Sequence, residues 1–265
     1  RRHRYGLRPS PARDAKSIRR SGSISRHHAL VFAFVLIASL AALPSSADVV
    51  GRPSVDRIAA LFESVVFGSE IDPRLASPVI AKWQGPVRLA VQGKPKPRHL
   101  DFLRRHAATL SGLTGVSIEP VEEREAANVN VVFVPRAQMS KIKIGGVPED
   151  LIRQLAGPGG CYFVSWQKPP GTIIGAVIVA NTDRDIAEIN HCLLEELTQS
   201  LGMPNDTDIL RPSIFSDHDK LTDLSRSDVI VVRTLYDPRL KAGTPKAEAL
   251  GTIPAVIREI DAKLP

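Results

Sequence analysis

The sequence predicts an α+β domain behind an export leader, and three patterns carry that prediction. Residues 87–91 alternate and residues 128–134 run mostly apolar, as strands do, and two more strand-like runs at 161–166 and 173–180 flank Pro169-Pro170-Gly171. Apolar residues at helical spacing fill the intervals, at 55–67, 97–110 and 183–202. Ahead of all this, a basic segment is followed by fifteen almost wholly apolar residues, 29–43.

The leader accounts for the charge. The 265 residues carry a formal +7, from 35 Lys+Arg against 28 Asp+Glu. Nine of those basic residues and one acid, Asp14, fall in 1–47, so the remaining 26 basic and 27 acidic residues nearly cancel. A nucleic-acid partner needs a basic face on the folded part, and none is expected. The apolar run is short for a membrane span and right for a signal peptide spanning 1–47, with cleavage near Ala47. The mature protein is then expected in the periplasm or outside the cell, free of the membrane; the alternative is a run retained as an anchor. Arg19-Arg20 is compatible with a twin-arginine signal. In an oxidising compartment Cys161 and Cys192, the two cysteines, are expected to pair, with two buried thiols as the alternative.

Past the leader, Pro53-Ser54-Val55-Asp56 opens a helix whose Ile58, Leu61, Phe62, Val65 and Val66 share a face until Gly68. Asp72-Pro73 and Ser77-Pro78 mark a connector. After the strand at 87–91, Pro97 suits the first turn of a helix to about Leu110, whose Arg98, Arg104, Arg105, His99 and His106 read as surface residues. A short strand at 116–118 precedes the stronger one at 128–134, expected at the middle of a sheet. Pro148 opens a short helix to Leu155, which Gly157-Pro158-Gly159-Gly160 breaks. A last helix is predicted at 253–264. The expected division is 1–47 signal peptide, 48–82 N-terminal helix and linker, 83–243 main domain, and 244–265 helical tail.

The helix at 183–202 holds the chemistry. Asn181-Thr182-Asp183 supplies cap candidates and Gly202 a left-handed stop. Ile186, Leu193, Leu194, Leu197 and Leu201 share one face, and Glu188, His191, Cys192, Glu195, Glu196 and Gln199 the other. His191, Glu195 and Gln199 recur at i, i+4 and i+8, which sets them on one line.

From Glu195 the run EELTQSLGMPN keeps the frame of the zinc-peptidase motif HExxHxxGxxH. In that motif two helix histidines and a third beyond the glycine bind zinc, and the Glu acts as general base. The base position falls on Glu196, the glycine on Gly202, and the ligand positions on Glu195, Gln199 and Asn205. Pro212-Ser213-Ile214-Phe215-Ser216 resembles the Met-turn of these enzymes with Phe215 in place of Met, and 221–236 resembles their closing helix. More closely, HCLLEELTQSLGMPNDTD, PSIFSD and RTLYDPRLKAG resemble a bacterial family of exported proteins, domain of unknown function 2927, associated with the zincin superfamily. The resemblance covers 83–243. It implies a zincin-like fold: a mixed, mostly antiparallel sheet, a central active-site-type helix and a C-terminal helical subdomain.

Zinc favours imidazole and thiolate, while Gln199 and Asn205 offer neutral amide oxygens, so neither a catalytic zinc nor another cofactor is expected. Two alternatives stay open. His191 and Glu195 form a displaced pair with Asp206 or Asp208 as third ligand, or the oxygens of Glu195, Glu196, Gln199, Asn205, Asp206 and Asp208 suit calcium or magnesium better than zinc. Glu196 and His191 are the catalytic candidates. His218, between Asp217 and Asp219, is expected to be solvated. The resemblance implies a degenerate peptidase homologue that binds a peptide or envelope component in the old cleft, beside 173–180. The alternative is a metal-dependent or Glu-assisted hydrolase with an altered site; a structural role is the third reading.

Overall fold

The computed structural model describes residues 52–69, 71, 76–158 and 160–265. The expected signal peptide with its cleavage site, and the connector at Asp72-Pro73, lie outside these residues. Ser54 caps helix α1 (Val55–Phe67), its hydroxyl accepting from Arg57 N at 3.3 Å, and the helix buries Ile58, Leu61, Phe62, Val65 and Val66 as predicted. Strand β1 (Val87–Gly93) leads through α2 (Pro97–Thr114) and β2 (Ile118–Pro120) to β3 (Val129–Val134). Short helices α3 (Arg136–Met139) and α4 (Glu149–Ala156) precede the hairpin of β4 (Cys161–Lys168) and β5 (Thr172–Asn181). Three helices close the chain: α5 (Ile186–Gln199), α6 (Arg226–Leu235) and α7 (Lys246–Lys263).

The strands form one sheet in the order β2-β1-β3-β5-β4, with β3 at its centre as its apolar run predicts. The pairings β1–β2, β1–β3 and β3–β5 are parallel and only β4–β5 is antiparallel, which corrects the expectation of a mostly antiparallel sheet. Connectivity explains the difference. A helical crossover such as α2 returns the chain to start the next strand in the same direction, and the tight turn at Pro169-Pro170-Gly171 reverses it. Helices cover both faces, so alternate side chains of β3 and β5 enter two cores. Val129, Val131, Phe133 and Ile178 join α1, α2, α5, α6 and α7 in the larger one. Val134 and Val179 join Met139, Ile152 and Tyr162 in the smaller, under α3 and α4.

The last helix starts at Lys246, seven residues before the predicted 253, because Gly251 and Pro254 obscure its apolar period. It buries Ala249, Ile253 and Ile257 in the larger core, which α1, Ile80 and α7 thus share with residues of 83–243.

The histidines of α2 are not surface residues. His99 stacks on the Phe133 ring at 5.5 Å between centroids, and His106 Nε2 lies 2.9 Å from Asn190 Oδ1 on α5. Both are buried, with exposures of 0% and 2%. Burial holds both imidazoles, and that of His191, below the ordinary value of 6.5. A depressed folded pKa means that the unfolded chain takes protons first. The stability these groups contribute is therefore full above about pH 6.5 and is lost as pH falls through the folded values. The urea midpoint is expected to be lower at pH 5 than at pH 7.5, with His106→Gln narrowing the gap; equal midpoints would refute this.

Helix α5 begins later than its sequence indicates. Thr182 N still donates to Val134 O at 2.9 Å, extending the sheet. The cap is instead Asp185, whose Oδ1 accepts from Ala187 N and Glu188 N, both at 2.9 Å. At the other end Trp83 Nε1 donates to Ser200 O at 3.0 Å and Tyr236 Oη to Leu201 O at 2.9 Å, satisfying carbonyls the helix leaves open. Gly202 then takes φ +117°, and a Cβ there would sit 2.1 Å from Ala81 O. Gly202→Ala is expected to cost roughly 2–3 kcal/mol in a urea titration, from backbone strain and displacement of Ala81 together.

Candidate functional site

The polar face of α5 is largely withdrawn from bulk water. His191, Cys192, Glu196 and Gln199 are buried and Glu195 half-buried, whereas Ile186, expected on the apolar face, is exposed at the first turn. This face forms one wall of a cavity of about 730 Å³. Tyr162 and Cys161 at the start of β4, Leu155 of α4, and Asp206, Asp208, Asp217 and Lys220 from the following loops complete it. The disulfide Cys161–Cys192, with Cα atoms 6.0 Å apart, ties α5 to β4 across the cavity edge. Edge strand β4 borders the cavity; β5, beside which the cleft is expected, lies between β3 and β4.

His191 is fixed at both ring nitrogens. Nδ1 lies 2.9 Å from Leu221 O, which can only accept, so Nδ1 carries a proton. Nε2 faces Glu195 Oε2 at 3.4 Å, one helical turn on. Burial holds the imidazole pKa below its ordinary value, which favours the neutral ring. Glu196 is 6% exposed and lines the same cavity.

The remaining candidates separate. Gln199 Nε2 donates to Asp206 Oδ1, drawing the loop after Gly202 onto the helix. Asn205 turns away: its Nδ2 donates to Ser64 Oγ on α1 at 3.3 Å and to Asp206 O at 2.9 Å. The cavity therefore gathers His191, Glu195, Glu196, Gln199 and Asp206, and Asn205 is not among its lining residues. Asp208 accepts from Ser216 Oγ at 2.6 Å and lies 3.2 Å from His218 Nε2, whose side chain is largely exposed as expected. Sequence reasoning missed Arg184, Tyr162, Asp217 and Lys220, which no motif marks and which only the fold brings to the cavity.

A buried carboxylate shapes the rim. Asp228, 0% exposed on α6, accepts from Ser213 Oγ at 2.7 Å, Ile214 N at 3.0 Å and Ser225 N at 2.8 Å. Burial pushes its carboxyl up, and these donors oppose the shift. The Met-turn-like segment it holds places Phe215 O to accept from Thr207 N at 2.7 Å, and Thr207 lines the cavity.

The zinc-peptidase ligand positions do not assemble a metal site. Of the three, only Glu195 has a side chain that serves as a zinc ligand, Gln199 is committed to Asp206, and Asn205 points to α1. Among the described residues no three of His, Cys, Asp and Glu stand together as a metal-holding group.

Residues 56–255 match a family described as "Protein of unknown function (DUF2927)". The chain belongs to this family. The match runs from α1 well into α7, wider than the span 83–243 that carries the motif resemblance. No curated protein matches this family member. One solved structure similar to it is described as "Structure of myroilysin", at 12% identity and a TM-score of 0.28, over 68% of this chain and 97% of that one. Values so low bear on neither activity nor ligand. Among the described residues of this DUF2927 protein no helix is long and apolar enough to cross a membrane.

Proposed function

We propose that the protein is an exported, catalytically degenerate relative of zinc peptidases that binds an extended peptide, or a peptide-like component of the cell envelope, along β4. The observation that carries this is a continuous groove beside an open strand edge. β4 pairs only with β5 among the described strands. Beside it the polar cavity adjoins a second cavity of about 260 Å³, with Ile71, Leu155 and Gln199 lining both. The second is more apolar, walled by Val66, Leu151, Phe163, Val164 and Pro204. An extended chain added to a sheet edge takes its affinity from backbone hydrogen bonds and its selectivity from side-chain pockets. The disulfide fits an oxidising compartment and so supports export.

Leu155, half-buried between the two cavities, offers the direct test. Leu155→Arg is expected to weaken binding of fluorescein-labelled decapeptides, read by anisotropy at a temperature where the variant is still folded, on the order of tenfold. Unchanged binding would remove the groove from the account. Metal content is a separate check. Zinc measured by mass spectrometry is expected to be substoichiometric and the same in Glu195→Gln and His191→Gln; one zinc per chain, lost in either variant, would sink the degenerate-site reading.

A second reading rests on Glu196, whose buried carboxylate lines the cavity at the general-base position. On that reading Glu196→Gln abolishes hydrolysis of a peptide without changing stability. A carboxylate alone, with no Lewis acid to activate water, makes peptide hydrolysis slow, which favours the binding role.

A further inference from the structure

The run RTLYDPRLKAG, which the groove does not use, helps to build a separate and chemically opposite cavity. It measures about 590 Å³ and is lined by Lys82, Lys168 and Lys241 with Gln84 and Thr172, while Pro169, Pro170, Pro238 and Ala242 supply the rest. No carboxylate side chain lines it, and it shares no lining residue with either part of the groove. We propose that this cavity binds a phosphoryl group, held by the ammoniums of Lys82, Lys168 and Lys241 and by the hydroxyl of Thr172.

The walls are built to hold Lys82 in place. Lys82 N donates to Gly171 O at 3.0 Å, and Gly243 N to Ile80 O at 2.8 Å, binding the hairpin turn and the 237–243 loop to the strand-like segment between them. The approach is close enough that a Cβ on Gly171 would meet Ile80 O at 2.3 Å, and one on Gly243, at φ +88°, would meet Pro170 at 2.6 Å. The ammonium of Lys82, a residue 9% exposed, donates to Leu235 O at 3.0 Å and lies 3.5 Å from Asp237 O and 5.4 Å from the Tyr236 ring centroid. Two carbonyls leave one of its three protons for a ligand.

The nearest carboxylate does not neutralise it. Arg239 engages both oxygens of Asp237, at 2.8 and 2.9 Å, and extends to Glu259 at 2.9 Å. Thr172 Oγ1 accepts from Gln84 Nε2 at 2.6 Å, which leaves its own proton to donate. A lysine that merely closes the end of α6 accounts for the Leu235 contact. It does not account for two further lysines on the same cavity with no acid among them. Three cations suit a dianionic phosphomonoester better than a single carboxylate, and lysine binds phosphate as a point charge.

Burial holds the Lys82 amine down at about 8, against the pull of Asp237. A bound anion raises it again, so binding takes up a proton near pH 8 and weakens as pH rises beyond that value.

Calorimetry of the full chain at pH 8 tests this, with inorganic phosphate and glycerol 3-phosphate as probes in two buffers of different ionisation heat. Saturable one-to-one binding with proton uptake is expected. The Lys168→Gln/Lys241→Gln double variant, whose residues are both exposed, should bind on the order of tenfold more weakly with its unfolding midpoint unchanged. Lys82→Met should lose the proton uptake. Tighter binding of glycerol 3-phosphate assigns the site to an esterified phosphate such as a lipid headgroup; equal binding assigns it to free phosphate. Failure of both probes at millimolar concentration, or binding that the double variant leaves unchanged, overturns the site.

Discussion

Breaking the Cys161–Cys192 disulfide is expected to lower the unfolding free energy by roughly 3–4 kcal/mol, the loop-closure value for a sequence separation of 31. That is a large share of the roughly 5–15 kcal/mol that holds a typical domain together. The effect extends to function, because the bond fastens the middle of α5 to the first residue of β4, two walls of the same cavity. Without it, β4 at the sheet edge is held by its pairing to β5 and by Tyr162 and Phe163 in the two cores. A Cys161→Ser/Cys192→Ser protein should therefore unfold at lower urea and bind peptide less well at temperatures where it is still folded. Thiol titration of the unfolded, unreduced wild-type chain should find no free thiol. Two titratable thiols, or a double-serine variant as stable as the parent, would contradict the assignment.

Asp228→Ala should cost about as much, on the order of 3–5 kcal/mol, because it strands the Ser213 hydroxyl and the Ile214 and Ser225 amides in a site with 0% exposure. Asp228→Asn keeps one acceptor oxygen and the same volume, so its cost should be smaller, about 1–2 kcal/mol. The consequence again reaches the cavity. Asp228 fixes Ser213 and Ile214, the next residue Phe215 accepts from Thr207, and Thr207 lines the groove. Urea titrations of the two variants, with peptide binding measured alongside, check both parts. A fully stable Asp228→Ala protein would remove this residue from the account of the rim.

How much of this was legible in the sequence depends on which physical effect decides each feature. Spacing revealed α1, the centrality of β3 and the run of α5, because an apolar face must be buried whatever surrounds it. Strand direction was not legible: periodicity is the same in either sense, and the crossovers decide. His99 and His106 sit on a helix rich in arginine, and nothing local distinguishes a solvated imidazole from one stacked on Phe133 or bonded to Asn190. The motif frame, with helical spacing for His191, pointed to Glu195, Glu196 and Gln199, and the fold sets all four on one cavity. It misplaced Asn205, because the turn after Gly202 sends that side chain to Ser64 on α1, a partner 141 residues away. Lys82 had no local signal at all; its surroundings come from residues 171–172 and 235–243, far along the chain.

On the proposed function, the groove beside β4 holds a peptide intact and without a metal. Incubating the full chain with labelled decapeptides in excess chelator, then measuring both the bound fraction and the peptide mass, tests it in one sample. The account predicts saturable binding that the chelator leaves unchanged, with every peptide recovered at its original mass. Peptide cleaved in the absence of chelator and spared in its presence, or spared by Glu196→Gln, would contradict it and make the protein a hydrolase.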